Sequence, residues 1–264
     1  MKLRECDVFW NKKVSSGYFH MGVEVGDAFK AARAGQFVMI KTTGEGETLL
    51  RRPFSIHDVR EDEGRLVLEL LYKVVGPNTG VYAKLKPGHS VSVLGPLGNA
   101  FTLPEKGAKS FLVGGGIGIA PMLFLGRQLV EAGHDPSCHT VFIGGRSKED
   151  VLSAEVFRGM GLTVVETTDD GSLGEKGRIT VPLERFYEKE KPSLVYACGP
   201  HPMLVGVAQL MEGRDALCEL SLEIIMACGM GACMGCVVDG RDAEHPYHHV
   251  CIDGPVFDAK NLNM

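Results

Sequence analysis

The sequence lacks an apolar run long enough to cross a membrane, which takes about 20 residues. Its first ten residues, MKLRECDVFW, put no apolar stretch behind a basic start, so no export signal and a cytoplasmic location are expected. A basic excess is also missing: 28 Lys and Arg stand against 33 Asp and Glu, a net charge of −5. Nucleic-acid binding favours a basic face and is not expected. Repeats and low-complexity linkers are absent. What is present is an ordinary soluble composition, 44% hydrophobic and 23% charged, over 264 residues. That length suits two domains, with enough chain for real cores.

Two residue types carry more information. Thirty-four glycines, many of them clustered, point to tight turns and close backbone approach to ligands. There are eight cysteines, and Cys228, Cys233, Cys236 and Cys251 fall close together. Without export, a disulfide framework is not expected, and such a cluster reads first as metal binding. Cys6, Cys138 and Cys218 read as small buried apolar residues.

The rhythm of the chain changes twice. Residues 1–103 hold short alternating runs at 36–41, 54–59, 65–72 and 90–94, separated by GEGE, EDEG, GPN and KPGH. This predicts an antiparallel β-barrel, although a β-sandwich has the same periodicity. Residues 104–216 alternate apolar runs at 109–113, 140–143, 162–166 and 193–198 with helical stretches at 121–132, 148–160, 182–190 and 202–211. That alternation predicts a doubly wound parallel sheet. Residues 217–264 form a small tail with the cysteine cluster, which a metal centre would help to fold. The expected fold is thus multidomain, α+β and α/β, with three parts.

The cysteine spacing is C-x4-C-x2-C-x14-C, the plant-type 2Fe–2S pattern. Two irons sharing two sulfides need four thiolates from a loop that wraps closely. Gly229, Gly231 and Gly235 free backbone amides to face the sulfurs, and Ala232 and Met234 keep the surroundings apolar. A four-cysteine zinc site competes, although zinc knuckles usually pair two C-x2-C units. His245, His248 and His249 read as a solvated loop, since four cysteines already complete a ligand set.

Three weaker motifs precede the cluster. In RRPFS at 51–55, Arg52 offers a planar fork to a diphosphate, Phe54 a surface for a flat ring, and Ser55 a hydroxyl for its edge. A barrel strand with an exposed arginine would look the same. LYK at 71–73 and Thr79 could add contacts to that ligand. GGGIGIAP at 114–121 follows an apolar run and opens a helix, which favours a phosphate. It fits G-x-G-x-x-G/A in no register, and the next run ends in Gly144, Gly145 and Arg146 rather than an acid, so the standard dinucleotide fingerprint fails. A ligand-free strand-to-helix turn is its plain alternative. CGP at 198–200 would lie at the carboxyl edge of the sheet, where such folds bind ligands.

The order RxxS, GGGxGxxP, CGP resembles that of the ferredoxin–NADP reductase superfamily. LLRRPFSI, GPLGNAF, LVGGGIGIAP, TDDGSLGEKG, YACGPHPML, SLEIIMACGMGACMGC and CIDGPVF together resemble the electron-transfer subunits of class 1B dihydroorotate dehydrogenases. The resemblance implies FAD at Arg52, Pro53, Phe54, Ser55, Leu71, Tyr72, Lys73, Asn78 and Thr79. It implies NAD at Gly114, Gly115, Gly116, Gly118, Cys198, Gly199 and Pro200, with Cys198 near the nicotinamide. It implies a 2Fe–2S cluster on the four clustered cysteines. Asn78 stands where the family usually has glycine, and a left-handed turn is expected there because asparagine tolerates one.

The resemblance also implies a partner: an FMN-containing subunit that oxidises dihydroorotate to orotate in pyrimidine biosynthesis, in a heterotetramer of two subunits of each kind. Small FAD/2Fe–2S subunits of other flavin complexes, such as NADH-dependent ferredoxin–NADP oxidoreductase or sulfide dehydrogenase, are the near alternative. They typically carry an aspartate at the first cluster position, where this chain has Cys228. A non-catalytic zinc or iron–sulfur module, such as a redox sensor, is the distant one.

Overall fold

The computed structural model describes residues 1–43 and 49–264. The expected GEGE turn at 44–47 lies outside the described residues.

The first sheet has seven strands: β1 (Lys2–Ser15), β2 (Tyr18–Glu24), β3 (Phe37–Thr42), β4 (Arg52–Ser55), β5 (Asp58–Asp62), β6 (Arg65–Lys73) and β7 (Ser90–Leu97). Their order is β4-β3-β7-β1-β2-β6-β5, and every pairing is antiparallel. The two end strands are joined by only Ile56 and His57. Ile56 N–H donates to Gln36 O beside β3, and His57 N–H donates to Glu69 O on β6, both at 3.0 Å. This link therefore curls the sheet into a barrel around Val8, Val38, Ile40, Ile56, Leu68, Leu70, Val91 and Val93. It also splits the single run expected over 54–59 into β4 and β5. The GPN turn is instead the start of a short helix, α1 (Pro77–Tyr82), with proline in its first turn. Thr79 Oγ1 accepts the N–H groups of Val75 and Gly76 ahead of it.

The second sheet contains β8 (Ser110–Gly115), β9 (His139–Gly145), β10 (Thr163–Thr168), β11 (Glu175–Lys176), β12 (Leu194–Cys198), β13 (Leu217–Ser221) and β16 (Val256–Asp258), in the order β11-β10-β9-β8-β12-β13-β16. Only β16 is antiparallel. Side chains alternate between its faces. Leu112, Val141 and Tyr196 join α2 (Ala120–Glu131), α3 (Ala154–Gly159) and the barrel in one core. Phe111, Phe142 and Val195 join α4 (Thr180–Glu190) and α5 (His201–Met211) in the other. The sheet is therefore doubly wound. It extends past residue 216, where the sequence reading ended it, because β13 pairs in register with β12 and β16 returns to pair with β13. Strands β14 (Val237–Asp239) and β15 (Tyr247–His249) make a separate hairpin between the cluster cysteines.

The helix expected over 148–160 is broken. Lys148–Asp150 forms a 3-10 turn, and α3 begins only at Ala154 after Ser153, which has φ +62°. Asp150 is held from the barrel side at this point, as described below.

The barrel and the second sheet are tied through α2. His57 Nδ1 lies 2.8 Å from Ala120 O, and Arg127 Nε is 2.6 Å from the buried Asp58 carboxylate. Among the described residues, no helix is long and apolar enough to cross a membrane.

Candidate functional site

Two cavities lie along the seam between the sheets. The larger, about 760 Å³, is lined by Arg52, Pro53, Phe54 and Ser55 on β4, by Leu71, Tyr72 and Lys73 on β6, and by Asn78 and Thr79 on α1. Its far wall is the segment from Ser221 to Met226, just after β13. Phe54 meets the edges of Tyr72 and Tyr82 at 5.8 and 5.6 Å between centroids, which fixes its ring as part of the wall. Arg52 is held on two sides. Its Nη1 donates to the carbonyls of Leu50 and Arg51. With the Asn78 amide oxygen turned toward the guanidinium, that oxygen accepts from Arg52 Nε at 2.8 Å and from Nη2. Asn78 thus sits in a right-handed helix and not in the left-handed turn expected of it; its side chain, not its backbone tolerance, is what the site uses.

The second cavity, about 660 Å³, lies over the carboxyl edge of the parallel sheet. Gly115 and Gly116 at the end of β8, Gly144 to Arg146 after β9, and Gly199 and Pro200 after β12 line it. A Cβ on Gly115 would press within 2.5 Å of Met203 Sδ and 3.0 Å of Pro200 Cδ, and Gly116 has φ +54°, so both positions favour glycine. Gly114 and Gly118 lie behind this lining. A Cβ on Gly118 would meet the Cys198 carbonyl oxygen at 2.2 Å, so this glycine lets the turn pack against β12. Cys198 ends β12 but lines neither cavity. It is fully buried, its thiol is pushed up by burial, and its side chain bonds to Ser221.

Lys73, Ile117 and Glu223 line both cavities and mark where they meet. Lys73 Nζ donates to Tyr18 Oη at 2.8 Å and to Asp150 Oδ1 at 3.0 Å, and Tyr18 Oη donates to the same carboxylate at 2.5 Å. Burial disfavours the Asp150 carboxylate, but the bonds from Tyr18 and Lys73 outweigh it and hold the group down at about 2. Tyr18, Asp150 and Glu223 escaped the sequence reading. Tyr18 and Asp150 have no motif of their own. Glu223 had a signal, as the one acid within the apolar run SLEIIM.

The cysteine loop begins immediately beyond the larger cavity. Cys228 Sγ accepts the N–H groups of Met230 and Cys233, each at 3.4 Å, and Cys251 Sγ accepts that of Gly231 at 3.1 Å. Cys236 Sγ accepts from Cys251 N–H at 3.4 Å. Positive φ at Gly229, Gly231 and Met234 turns these amides inward. The amide of Met230 is the main cause holding the Cys228 thiol down at about 6. These backbone bonds link Cys233 to Cys228 and Cys251 to Cys236. Among the described residues, no three His, Cys, Asp or Glu side chains converge to hold one ion. His248 and His249 belong to the β14–β15 hairpin, with His248 against Phe257, rather than to a solvated loop; His245 is exposed.

Comparison with known proteins follows the same lines. Residues 223–263 match the iron–sulfur cluster binding domain of dihydroorotate dehydrogenase B, and residues 112–209 match the oxidoreductase NAD-binding domain. The solved structure of an NADH-dependent reduced ferredoxin–NADP oxidoreductase superposes with a TM-score of 0.83 at 28% identity, covering 98% of this chain and 89% of that one. A ferredoxin–NADP+ reductase from Neisseria gonorrhoeae shares the fold at 17% identity and a TM-score of 0.68, over 84% of this chain and all of that one. The electron transfer subunit of dihydroorotate dehydrogenase B (NAD(+)) from Desulforamulus reducens is 38% identical over 246 residues, 92% of each chain. The subunit of the same name from Fusobacterium nucleatum is 35% identical over the full length of both. With barrel, sheet and cysteine loop all matched at such coverage, the chain belongs to the family of dihydroorotate dehydrogenase B electron transfer subunits.

Proposed function

We propose that the chain carries FAD in the larger cavity, NAD in the second, and a 2Fe–2S cluster on Cys228, Cys233, Cys236 and Cys251, and so links dihydroorotate oxidation to NAD. The supporting observation is continuity. The two cavities meet at Lys73, Ile117 and Glu223, and the wall formed by 221–226 runs directly into Cys228.

The donor sets suit these groups. Four cysteines at C-x4-C-x2-C-x14-C spacing, with amides aimed at their sulfurs, suit a 2Fe–2S cluster, whereas zinc sites usually pair two C-x2-C units. When bound, FAD exchanges a hydride with NAD and single electrons with the cluster. The chain's own residues hold and orient. Arg52, steadied by Asn78, takes the diphosphate. Pro53, Phe54, Ser55, Leu71, Tyr72, Lys73 and Thr79 enclose the flavin. Gly115, Gly116, Gly199 and Pro200 admit the nucleotide backbone, and Gly114, Gly118 and Cys198 support them from behind.

The partner is an FMN-containing catalytic subunit that oxidises dihydroorotate to orotate, in a cytoplasmic heterotetramer of two subunits of each kind. Met230, Met234, Val237 and Ile252 are exposed apolar residues around the cysteine loop, which supports its facing that partner. We assign residues 1–103 to the FAD barrel and 104–216 with β13 and β16 to the NAD sheet. The segment between β13 and β16 is then the cluster domain. The same fold serves an NADH-dependent ferredoxin–NADP oxidoreductase, but the cysteine at 228 favours the dihydroorotate enzyme. The test is optical. The full-length protein is expected to be coloured by flavin and cluster, and to bleach when NADH is added without oxygen. A colourless protein holding zinc would contradict the reading.

A further inference from the structure

Glu223 lies two residues beyond β13 and lines both cavities. Its side chain is exposed and forms part of the wall of each cavity. Among the described residues its carboxyl has no hydrogen bond or ion pair, and burial pushes it up from its ordinary value. The other two residues at the junction are poorer proton carriers. Ile117 is apolar. Lys73 is disfavoured as an ammonium by burial, but its bonds to Tyr18 and Asp150 win and keep it charged.

The electron balance requires a proton at this junction. Building the reduced flavin from single electrons consumes two electrons, supplied by the cluster, and one proton. The hydride that then leaves to NAD carries both electrons and that proton together. The one-electron side therefore needs a proton path, and the hydride side does not. We propose that Glu223 is the proton donor and acceptor for the flavin during its single-electron exchanges, and that it is idle during hydride exchange. The O–H bond of the Glu223 carboxyl breaks as an N–H bond forms on the flavin, and water restores the carboxyl proton. The inference rests on the placement of FAD and NAD above.

The test uses full-length protein loaded with its cofactors, and the variants Glu223→Gln and Glu223→Asp. Reduced methyl viologen serves as a one-electron donor and NADH as a hydride donor, with flavin bleaching followed in a stopped-flow instrument. Glu223→Gln is expected to slow the viologen reaction by about a hundredfold, the low end of what a positioned proton donor supplies, and to slow it about tenfold or more beyond any effect on the NADH reaction. Glu223→Asp, which keeps a carboxyl, is expected to recover much of the viologen rate. Infrared difference spectra between oxidised and reduced protein give a second readout: a protonated-carboxyl band present in the parent and lost in Glu223→Gln. Unchanged viologen kinetics in Glu223→Gln, or equal slowing of both reactions with no carboxyl band in the parent, would overturn the proposal. Parent protein that fails to bleach with NADH at all overturns the cofactor placement, and this proposal with it.

Discussion

Lys73 on β6 and Asp150 after β9 meet at 3.0 Å across the seam between the two sheets, with the Tyr18 hydroxyl bonded to both. The barrel thereby grips the loop that borders the second cavity. Removing the charge in Asp150→Asn leaves Lys73 without its counter-ion. We expect a loss of about 1–3 kcal/mol in stability, toward the lower end because Lys73 is partly exposed and screened. NADH affinity should also weaken by about tenfold, or about 1.4 kcal/mol. The pH dependence has a definite sign. The carboxyl sits at about 2 in the folded chain against an ordinary 3.8. Its stabilisation is full above about 4 and disappears as pH falls toward 2. Acid unfolding of the parent and Asp150→Asn checks this: their stabilities should converge at the acid end and diverge above it.

Asn78 and Arg52 provide a second test. The Asn78 oxygen takes two of the guanidinium's donors, and the Leu50 and Arg51 carbonyls take others, so the fork is aimed before any ligand arrives. Asn78→Ala is expected to weaken FAD binding by about tenfold, an energy of about 1.4 kcal/mol. Flavin released on dilution, read by fluorescence, measures it. Retention equal to the parent's would show that Arg52 needs no support.

Two glycines should respond oppositely to the same methyl. In Gly118→Ala the new Cβ meets the Cys198 carbonyl oxygen at 2.2 Å, so the backbone must move. A loss of about 1–3 kcal/mol is expected. Gly80 lies within α1 with open space at its Cβ, and Gly80→Ala should be neutral or slightly stabilising. Thermal unfolding of the two variants side by side decides it.

His57 sets a different pH limit. It is fully buried at the barrel link, and burial holds it down at about 4 from an ordinary 6.5. Between those values the unfolded chain binds more protons than the folded one, so stability falls as pH drops through that window. The loss approaches about 3 kcal/mol at its lower end. Urea unfolding at pH 7 and pH 5 should show this slope in the parent and a flatter one in His57→Gln.

The parts legible in the sequence were those with short periods or fixed spacings. The cysteine spacing and the alternation of strands and helices between 109 and 211 needed only local pattern. The first strand was not legible because β1 buries only Cys6 and Val8 and leaves even Leu3 and Val14 exposed, so it shows almost no alternation. The break in the expected 148–160 helix came from a distance: Asp150 is engaged by Tyr18 and Lys73 on other strands. Glu223 was visible as a residue but not as a site, because its role depends on two cavities that meet only in the folded chain. Asn78 was read for its backbone tolerance, and its side chain's grip on Arg52 depends on the short helix that starts at Pro77, where GPN reads equally as a turn.

The most direct test captures the chain with its native partner and supplies dihydroorotate and NAD without oxygen. NADH and orotate should appear in equal amounts. In Cys228→Ser that coupled activity should be lost, while NADH oxidation by flavin-directed dyes survives, because the cysteine belongs to the cluster and not to the flavin cavity. A complex that bleaches with NADH yet makes no orotate, or a Cys228→Ser variant that loses both activities equally, would contradict a relay from dihydroorotate through cluster and flavin to NAD.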